Sequence, residues 1–388
     1  MNLTRTYGCC FVGISGLVLS ACLAESDLSI ETNDPSAQVA IDFTYPNNWR
    51  APELTHSDYR MQSGNHPCPS ETDGYRYIDP FPVIRSLAKE HQVVMLNESH
   101  FKPLHRLFAL AMSEDLQNIG YSYFGSELFG ANQTEWLNAD AGLRGSSFLS
   151  EKKSALSYWS DPIFGQISER LSKSELTLFS YGEGTFPPPP GAESDVDHRE
   201  VTQAKNILKQ VRANPDEKFI IYAGYHHIKE HNDRNNTIWM AEYFTELSGI
   251  DPLTVSQTDC FSAKGFDDFV LGYGLLAHQD GTPVSRNGYD LILAAPTTET
   301  YKERPLWLRD YLDRKFVDAP TEAKFDGPTD FTVITAREIS RPETAPPEDL
   351  IYRAPLSEKS LALRPGEYNL TVTDRHKAVL ATVKLKVE

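Results

Sequence analysis

The chain has 388 residues, of which 40% are hydrophobic and 23% are charged, a composition typical of a globular protein. Its length allows a large core and about two domains. With 37 Lys and Arg residues against 54 Asp and Glu, the formal net charge is −17. This balance argues against a nucleic-acid partner, because nucleic acids are bound through basic surfaces.

The N-terminus is predicted to be an export signal, residues 1–21. One positive charge in MNLTRTYG precedes the apolar segment CCFVGISGLVLSA, which is too short for a comfortable membrane span. The following Leu-Ser-Ala-Cys at 19–22 resembles the bacterial lipobox, which predicts cleavage before Cys22 and a lipid anchor on its thiol. A plain secretory signal is the alternative. Leu23 stands where aspartate would signal inner-membrane retention, so in a Gram-negative cell envelope we expect the outer membrane.

The next segments alternate between strand and helix patterns. Residues 22–75 are polar and are predicted to be a tether and N-terminal extension. From 76 to 325, strands are predicted in VVML, YSYFGSELF, ELTLFSYGEG, KFIIYAG, LTVSQ and YDLILAAP. Helices are predicted in FPVIRSLAKEH, FKPLHRLFALAMSEDLQNIG, 133–140, 151–173, DHREVTQAKNILKQVRAN and TIWMAEYFTELSG. This alternation predicts an α/β domain with a mostly parallel sheet covered by helices on both faces.

Short alternating stretches fill the C-terminal region, residues 326–388. They are TDFTVITAREI, LIYRAP, KSLALRPGEYNLTVTD and AVLATVKLKVE, separated by turn residues. They predict a small antiparallel β-sandwich. The proline-rich segment 185–195 is predicted to be an exposed loop without a binding role.

The five cysteines separate into groups by position. Cys9 and Cys10 leave with the signal, and Cys22 carries the lipid. Only Cys68 and Cys260 remain in the exported part of the chain. Because thiols pair in an oxidising compartment, we predict a disulfide between them.

Polar side chains follow four successive predicted strands. In a parallel sheet the carboxyl ends of the strands lie along one edge, where ligands bind in open α/β folds. The side chains that the sequence places at this edge are Glu98, His100, Glu127, Tyr181, Glu183, His226 and His227. Such a set either binds a divalent metal, which polarises a carbonyl and activates water, or activates water directly through a Glu–His pair.

A structural role is the alternative for each histidine. Alone, His100 or His227 would more often be a satisfied buried histidine, but Glu98 and Glu127 beside them favour a site. His226 is the weaker of the adjacent pair, because neighbours on an extended segment point in opposite directions.

Three further residues are left open. His105, five residues after His100, has either a surface role or a site role. Arg199 and Glu200 open a long helix, where they are either first-turn residues or part of the site. Trp239 is interpreted as a core residue.

Several motifs together resemble, in order, those of the ChaN-like/Tiki/erythromycin-esterase superfamily. They are NESHFKPLHR, the SE of FGSELF, DHREVTQAKNIL, GYHH and WMAEYFTELSGIDPLTVSQT, within residues 80–310. The first motif is usually Gly-Glu-x-His, and here Asn97 replaces the glycine while Glu98 and His100 are kept. Gly224 and His227 match the final Gly-x-x-His.

The resemblance implies either of two functions. One is hydrolysis of an ester, lactone or amide bond in a small-molecule or peptide substrate, with Glu98, His100, Glu127 and His227 binding a divalent metal or activating water. Arg199, which matches the arginine of the penultimate helix, would stabilise negative charge. The other is haem or iron binding of the ChaN type, with Tyr181 or Tyr225 holding the ligand. A degenerate domain that acts as a surface interaction module is a third possibility. The C-terminal region resembles carboxypeptidase-regulatory-like modules.

Overall fold

A computed structural model describes residues 66–99, 102–129, 138, 162–182, 195–231, 237–262, 265–296, 299–302, 304–319, 332–341, 345–353, 360–373 and 378–388. The export signal, Cys22, most of the predicted helix at 133–140 and most of the loop at 185–195 lie outside these ranges. None of the described helices is long and apolar enough to cross a bilayer.

Helices and strands alternate along the first part of the described chain. The helices are α1 (Pro80–Ala88), α2 (Pro103–Gln117), α3 (Pro162–Ser172), α4 (Asp195–Ala213), α5 (Met240–Ser248) and α6 (Trp307–Asp310). The strands up to this helix are β1 (His66–Pro67), β2 (Tyr75–Ile78), β3 (Val93–Glu98), β4 (Tyr121–Ser126), β5 (Thr177–Ser180), β6 (Lys218–Gly224), β7 (Leu253–Ser262), β8 (Gly274–His278), β9 (Leu291–Pro296), β10 (Thr300–Tyr301) and β11 (Arg304–Pro305).

The central sheet has nine strands in the order β2-β8-β9-β7-β3-β6-β4-β5, with β1 pairing alongside β7. The pairs β7–β3, β3–β6, β6–β4 and β4–β5 are parallel, and β2–β8 and β8–β9 are antiparallel. The predicted α/β fold with a mostly parallel sheet is therefore confirmed. Because β6 lies between β3 and β4, the carboxyl ends of these three strands are neighbours.

Helices cover both faces of this sheet. Along β3, Val94 and Leu96 face one apolar cluster, which contains residues of α1, α2 and α3. Val93 and Met95 face a second cluster, which contains residues of α4 and α5. Alternate side chains of a strand point to opposite faces, so a continuous apolar run is what a strand covered on both sides requires.

Small antiparallel sheets form the C-terminal region. The strands are β12 (Lys315–Val317), β13 (Thr332–Glu338), β14 (Asp349–Arg353), β15 (Leu361–Leu363), β16 (Gly366–Thr373) and β17 (Val379–Val387). Four of them pair in the order β14-β13-β16-β17, and β12 pairs with β15. Both sheets contribute to one apolar cluster that includes Ile334, Leu363 and Leu370.

Strands β1, β2, β7 and β8 of the main sheet differ from the sequence-based expectation, since β1 and β2 were not predicted as strands. Strand β7 was expected to end at Gln257 but continues to Ser262, where it pairs with β1 and β9. Strand β8 was not expected, because its short apolar segment Gly274–His278 becomes a strand only by pairing with β2 and β9.

The predicted disulfide is confirmed. Cys68 and Cys260 are bonded, with their Cα atoms 4.9 Å apart and a sequence separation of 192. The backbone N–H of Cys68 also donates to the carbonyl of Phe261 at 2.9 Å. The link fastens the segment after β1 to the far end of β7.

Candidate functional site

The site lies at the carboxyl ends of β4 and β6 and at the beginning of α4. Glu127 directly follows β4, and His227 lies in the turn that follows β6. Glu200 lies in the second turn of α4. Because β4 and β6 are neighbouring strands, Glu127 and His227 lie side by side. The two strand ends are far apart in sequence, since Gly224 at the end of β6 is 97 positions after Glu127.

Glu127 is fixed by backbone groups of the neighbouring strands. Its Oε1 accepts a hydrogen bond from the N–H of Gly224 at 2.6 Å. Gly182, after β5, approaches so closely that a Cβ on it would lie 2.8 Å from the Glu127 carbonyl oxygen. Glycine at position 182 therefore allows the segments after β4 and β5 to approach closely. The other carboxylate oxygen of Glu127, Oε2, faces His227.

His227 lies between two carboxylates. Its Nδ1 is 2.6 Å from Oε2 of Glu200, and its Nε2 is 3.5 Å from Oε2 of Glu127. The residue is 7% exposed. Because a carboxylate only accepts hydrogen bonds, Nδ1 of His227 carries a proton, and the second nitrogen is directed at Glu127.

Glu200 is the residue that holds His227 in place. Its side chain is fully buried, and its Oε2 also accepts from the backbone N–H of Met240 at 3.2 Å. Its Oε1 lies 3.1 Å from a terminal nitrogen of Arg199, whose side chain is 34% exposed. Glu200 thus contacts His227 directly, and Arg199 contacts Glu200.

The sequence contained a signal for Glu200. The buried positions of α4 are Glu200, Gln203, Ala204, Ile207, Leu208 and Val211, which have the spacing of one helix face. A glutamate on the buried face of a helix requires a partner, because an isolated buried charge is costly. The position of Glu200 on the buried face of α4, and not its position near the start of the helix, indicates that it has a buried partner.

The charges around His227 raise the pKa of its imidazole. Burial by itself lowers the pKa of His227, but the charges of Glu127 and Glu200 and the hydrogen bond from Nδ1 outweigh it, and the net pKa is raised above 6.5. Arg199 opposes this effect more weakly. His227 can therefore hold a proton near neutral pH and pass it to a group at Nε2.

Glu98 lies in a different group of side chains. Its oxygens accept from Nε and a terminal nitrogen of Arg106 at 3.0 and 3.4 Å, and from the hydroxyl of Tyr222 at 2.5 Å. Glu98 and Arg106 are 0% and 1% exposed. Arg106 belongs to α2 and lies over the ring of Phe164 of α3, so this ion pair occupies the face of the sheet opposite α4.

The pair of Glu98 and Arg106 was missed from the sequence. Arg106 lies among apolar residues in the sequence of its helix. A lone arginine in such a helix usually reaches solvent, so the pattern did not indicate that Arg106 is buried. Burial and the negative charge of Glu98 together raise the pKa of the Tyr222 hydroxyl, which keeps it a hydrogen-bond donor.

The turn after β6 separates the two adjacent histidines. His226 is exposed, and its Nδ1 lies 3.2 Å from the hydroxyl of Tyr289. The expectation of an extended segment here is wrong, since residues 225–228 form a turn and Tyr225 has a φ of +41°. Trp239 is half-buried, with its ring 5.4 Å from that of His226 and 6.2 Å from that of His227. Trp239 was interpreted as a core residue, but these contacts place its ring beside both histidines at the rim of the site.

The remaining candidates are placed as follows. His100 and Glu183 lie outside the described residues. Tyr181 is fully buried, and its hydroxyl donates to the carbonyl of Tyr222 at 2.7 Å, so it faces the core. His105 is 1% exposed and not at the surface, and its Nδ1 accepts from the N–H of Ser99 at 2.9 Å. Burial and the charge of Lys102 lower the pKa of His105 well below 6.5, so the residue is neutral.

The expected metal fits this site only in part. Within the ranges that the structure describes, no group of three or more His, Cys, Asp or Glu side chains is placed to hold an ion. Glu98 is engaged by Arg106 and Tyr222. Glu127 Oε2 and His227 Nε2, 3.5 Å apart, are at a separation expected of two atoms that each bind zinc at about 2.0–2.2 Å.

Comparisons with known proteins give structural likenesses at low similarity. No protein-family model matches the chain, and no curated protein matches it in sequence. Similar solved structures include a mutant of the erythromycin esterase EreC in its open conformation, with 14% identity, 74% of this chain and 96% of that chain covered, and a TM-score of 0.34. A haem-bound ChaN of Campylobacter jejuni shows 10% identity, coverages of 55% and 91%, and a TM-score of 0.31. The type III effector HopBA1 shows 12% identity, coverages of 57% and 96%, and a TM-score of 0.35.

Proposed function

We propose that this chain is an exported hydrolase of the ChaN-like/Tiki/erythromycin-esterase type that cleaves an ester, lactone or amide bond. The observation that carries the proposal is the placement of His227 between the buried carboxylate of Glu200 and the carboxylate of Glu127 at the rim. A carboxylate that fixes a histidine, which in turn faces the reaction centre, is the arrangement that activates water in many hydrolases.

Each of these residues has a distinct role in the proposed reaction. Glu200 holds the proton on Nδ1 of His227, so that Nε2 exchanges protons with the substrate side. A water molecule that contacts Glu127 Oε2 and His227 Nε2 loses a proton to this pair as its oxygen bonds to the substrate carbonyl carbon. His227 then gives a proton to the leaving oxygen or nitrogen as the carbon–leaving-group bond breaks.

Arg199 supplies positive charge beside this pair. Two of its nitrogens contact Glu200 Oε1, at 3.1 and 3.2 Å, while a third of the side chain remains exposed. The exposed guanidinium N–H groups are the proposed donors to the negative oxygen that develops on the substrate carbonyl.

Glu98 has a supporting role in this proposal. It neutralises Arg106 beneath the carboxyl end of β3, and both of its carboxylate oxygens accept hydrogen bonds there.

A bound divalent ion would be held by Glu127 and His227 with His100, and it would polarise the carbonyl and lower the pKa of a bound water. Glu127 and His227 take part in both arrangements, so metal analysis of the purified protein distinguishes the two.

A haem- or iron-binding lipoprotein is the second candidate. The half-buried Tyr225 and the exposed His226 lie at the same rim, and tyrosine and histidine are both axial ligands of haem iron. Tyr181 is unsuited, because its hydroxyl is bonded within the core.

Both candidates are proposed for the cell envelope. The lipobox-like segment before Cys22 supports attachment to the outer membrane through a lipid anchor.

The test uses the purified chain without residues 1–21. We expect turnover of a panel of p-nitrophenyl esters, lactones and peptides, and we expect His227→Ala to lower kcat by at least about a hundredfold while the melting temperature stays nearly unchanged. His226→Ala is the matched control and should retain most of the activity. A Soret band after incubation with haemin, without turnover of any substrate in the panel, would favour the haem binder.

A further inference from the structure

Asn97 is a buried amide at the position before Glu98 in β3. It is 0% exposed. Its Oδ1 accepts from the backbone N–H of Gln257 at 2.6 Å. Its Nδ2 lies 2.6 Å from the carbonyl oxygen of Tyr225 and 2.8 Å from the hydroxyl of Thr258. One end of the amide meets a donor and the other meets acceptors, so these partners fix its orientation.

Tyr225 has an unfavourable backbone conformation. Its φ of +41° lies in the left-handed region, which residues other than glycine rarely adopt. Its N–H donates to the carbonyl of Glu98 at 2.7 Å, and the N–H of His227 donates to the carbonyl of Gly224 at 3.3 Å. The surrounding hydrogen bonds therefore hold a strained residue two positions before His227. Strain of this kind persists only where neighbouring groups maintain it.

The carbonyl of Tyr225 determines where the next residues are directed. If Tyr225 relaxed to a negative φ, the peptide group that follows it would rotate, and His226 and His227 would change direction with it. The Asn97 amide is a side-chain donor that reaches this carbonyl. It comes from a strand 128 positions away in sequence, so the turn is held by tertiary contacts in addition to its local hydrogen bond.

We propose that Asn97 is a positioning residue, which holds the Tyr225 carbonyl and thereby keeps His227 between Glu127 and Glu200. The catalytic consequence rests on the proposed hydrolase function, but the positioning itself does not. A displacement of His227 by about 1 Å is enough to lower kcat by up to about a hundredfold, because the proton must be transferred along a well-aligned path.

The first test compares Asn97→Ala with Thr258→Val in the full mature chain. Thr258→Val removes a different partner of the same Nδ2 and preserves side-chain shape, so it is the matched control. The His227 Nδ1 proton bonded to Glu200 should give a proton NMR signal far downfield, identified by its absence in His227→Gln. We expect Asn97→Ala to lose this signal and Thr258→Val to keep it.

The same variants are compared in p-nitrophenyl ester hydrolysis. Asn97→Ala should lower kcat about ten- to a hundredfold while KM changes by less than about threefold, because the substrate-binding surface is kept. If Asn97→Ala does not fold, Asn97→Ser replaces it, since serine is also too short to reach the Tyr225 carbonyl.

The decisive test is a rescue. Glycine adopts positive φ without steric cost, so Tyr225→Gly should stabilise the turn without the amide. The double variant Asn97→Ala/Tyr225→Gly should therefore regain the downfield signal and recover kcat about tenfold relative to Asn97→Ala. A role limited to packing in β3 would leave the double variant no better than the single one.

Failure of this inference is distinguishable from failure of the proposed function. If the parent protein hydrolyses nothing, loss of the signal in Asn97→Ala and its return in the double variant still support positioning. The inference is overturned if Asn97→Ala keeps both the signal and the parent kcat, or if the double variant recovers neither.

Discussion

Replacement of Glu200 by glutamine tests the centre of the proposed site. Glutamine keeps the size of the side chain and removes the charge. Glu200 Oε2 accepts from His227 at 2.6 Å and from the N–H of Met240 at 3.2 Å, and Oε1 faces Arg199. The glutamine oxygen satisfies some of these donors, while its amide N–H₂ group competes to donate to Nδ1 of His227. That exchange would move the imidazole proton to Nε2, where it blocks proton uptake from water.

The size of the effect follows from the buried hydrogen bond. A hydrogen bond to a charged group contributes about 1.5–3 kcal/mol. At about 1.4 kcal/mol for each factor of ten, its loss in the transition state lowers kcat by roughly 10- to 150-fold. The charge of Glu200 also contributes to the raised pKa of His227. In Glu200→Gln that pKa falls, so the acid limb of the kcat/KM profile should move to lower pH.

The assay measures initial rates of ester hydrolysis from about pH 5 to pH 9. Glu246→Gln, an exposed carboxylate on α5, is the matched control and should retain the parent profile. Urea unfolding of each variant shows whether the fold is intact. The reasoning is refuted if Glu200→Gln keeps kcat within about twofold of the parent, or if its acid limb does not move.

Three further expectations address other parts of the chain. Cys22→Ser should release the protein from the membrane fraction or block its processing, and equal membrane recovery of variant and parent would contradict the lipid anchor. Replacing Cys68 and Cys260 together by serine should lower the free energy of unfolding by about 3–5 kcal/mol, because the disulfide closes a loop of 192 residues; unchanged urea midpoints would contradict this. Burial, then the charge of Asp290, raises the pKa of Glu230 to about 8, while a hydrogen bond from a threonine lowers it. The native state therefore holds this proton more tightly than the unfolded state, and stability should fall as pH rises from about 4.5 through about 8. Glu230→Gln should make the melting temperature less dependent on pH across this range, and equal slopes for variant and parent would oppose the idea.

The sequence by itself determined the main architecture. The run VVML before Glu98 has no polar residue on either face, which only a strand covered on both sides tolerates. Strands of this kind alternating with amphipathic helices leave a mostly parallel sheet as the arrangement that buries every apolar face. The disulfide was also predictable, since Cys68 and Cys260 are the two cysteines left after the predicted signal and anchor are removed.

The sequence also indicated the edge of the sheet at which polar residues collect. Glu127 and His227 were expected there because each follows a strand, and the carboxyl ends of parallel strands meet at one edge. Their close approach, with 3.5 Å between Oε2 and Nε2, required β6 to pair with β4. Strand order depends on packing between distant segments, and local periodicity carries no information about it.

Tertiary structure alone decided how these polar groups are divided. Glu98 and Asn97 are adjacent in sequence, but alternation along β3 turns one toward Arg106 and the other toward Tyr225. Glu200 became the partner of His227 because α4 packs with its buried face on the sheet. Each pairing joins groups that chain folding brings from distant positions, and a buried charge or a strained turn is stable only with the partner that the whole fold supplies.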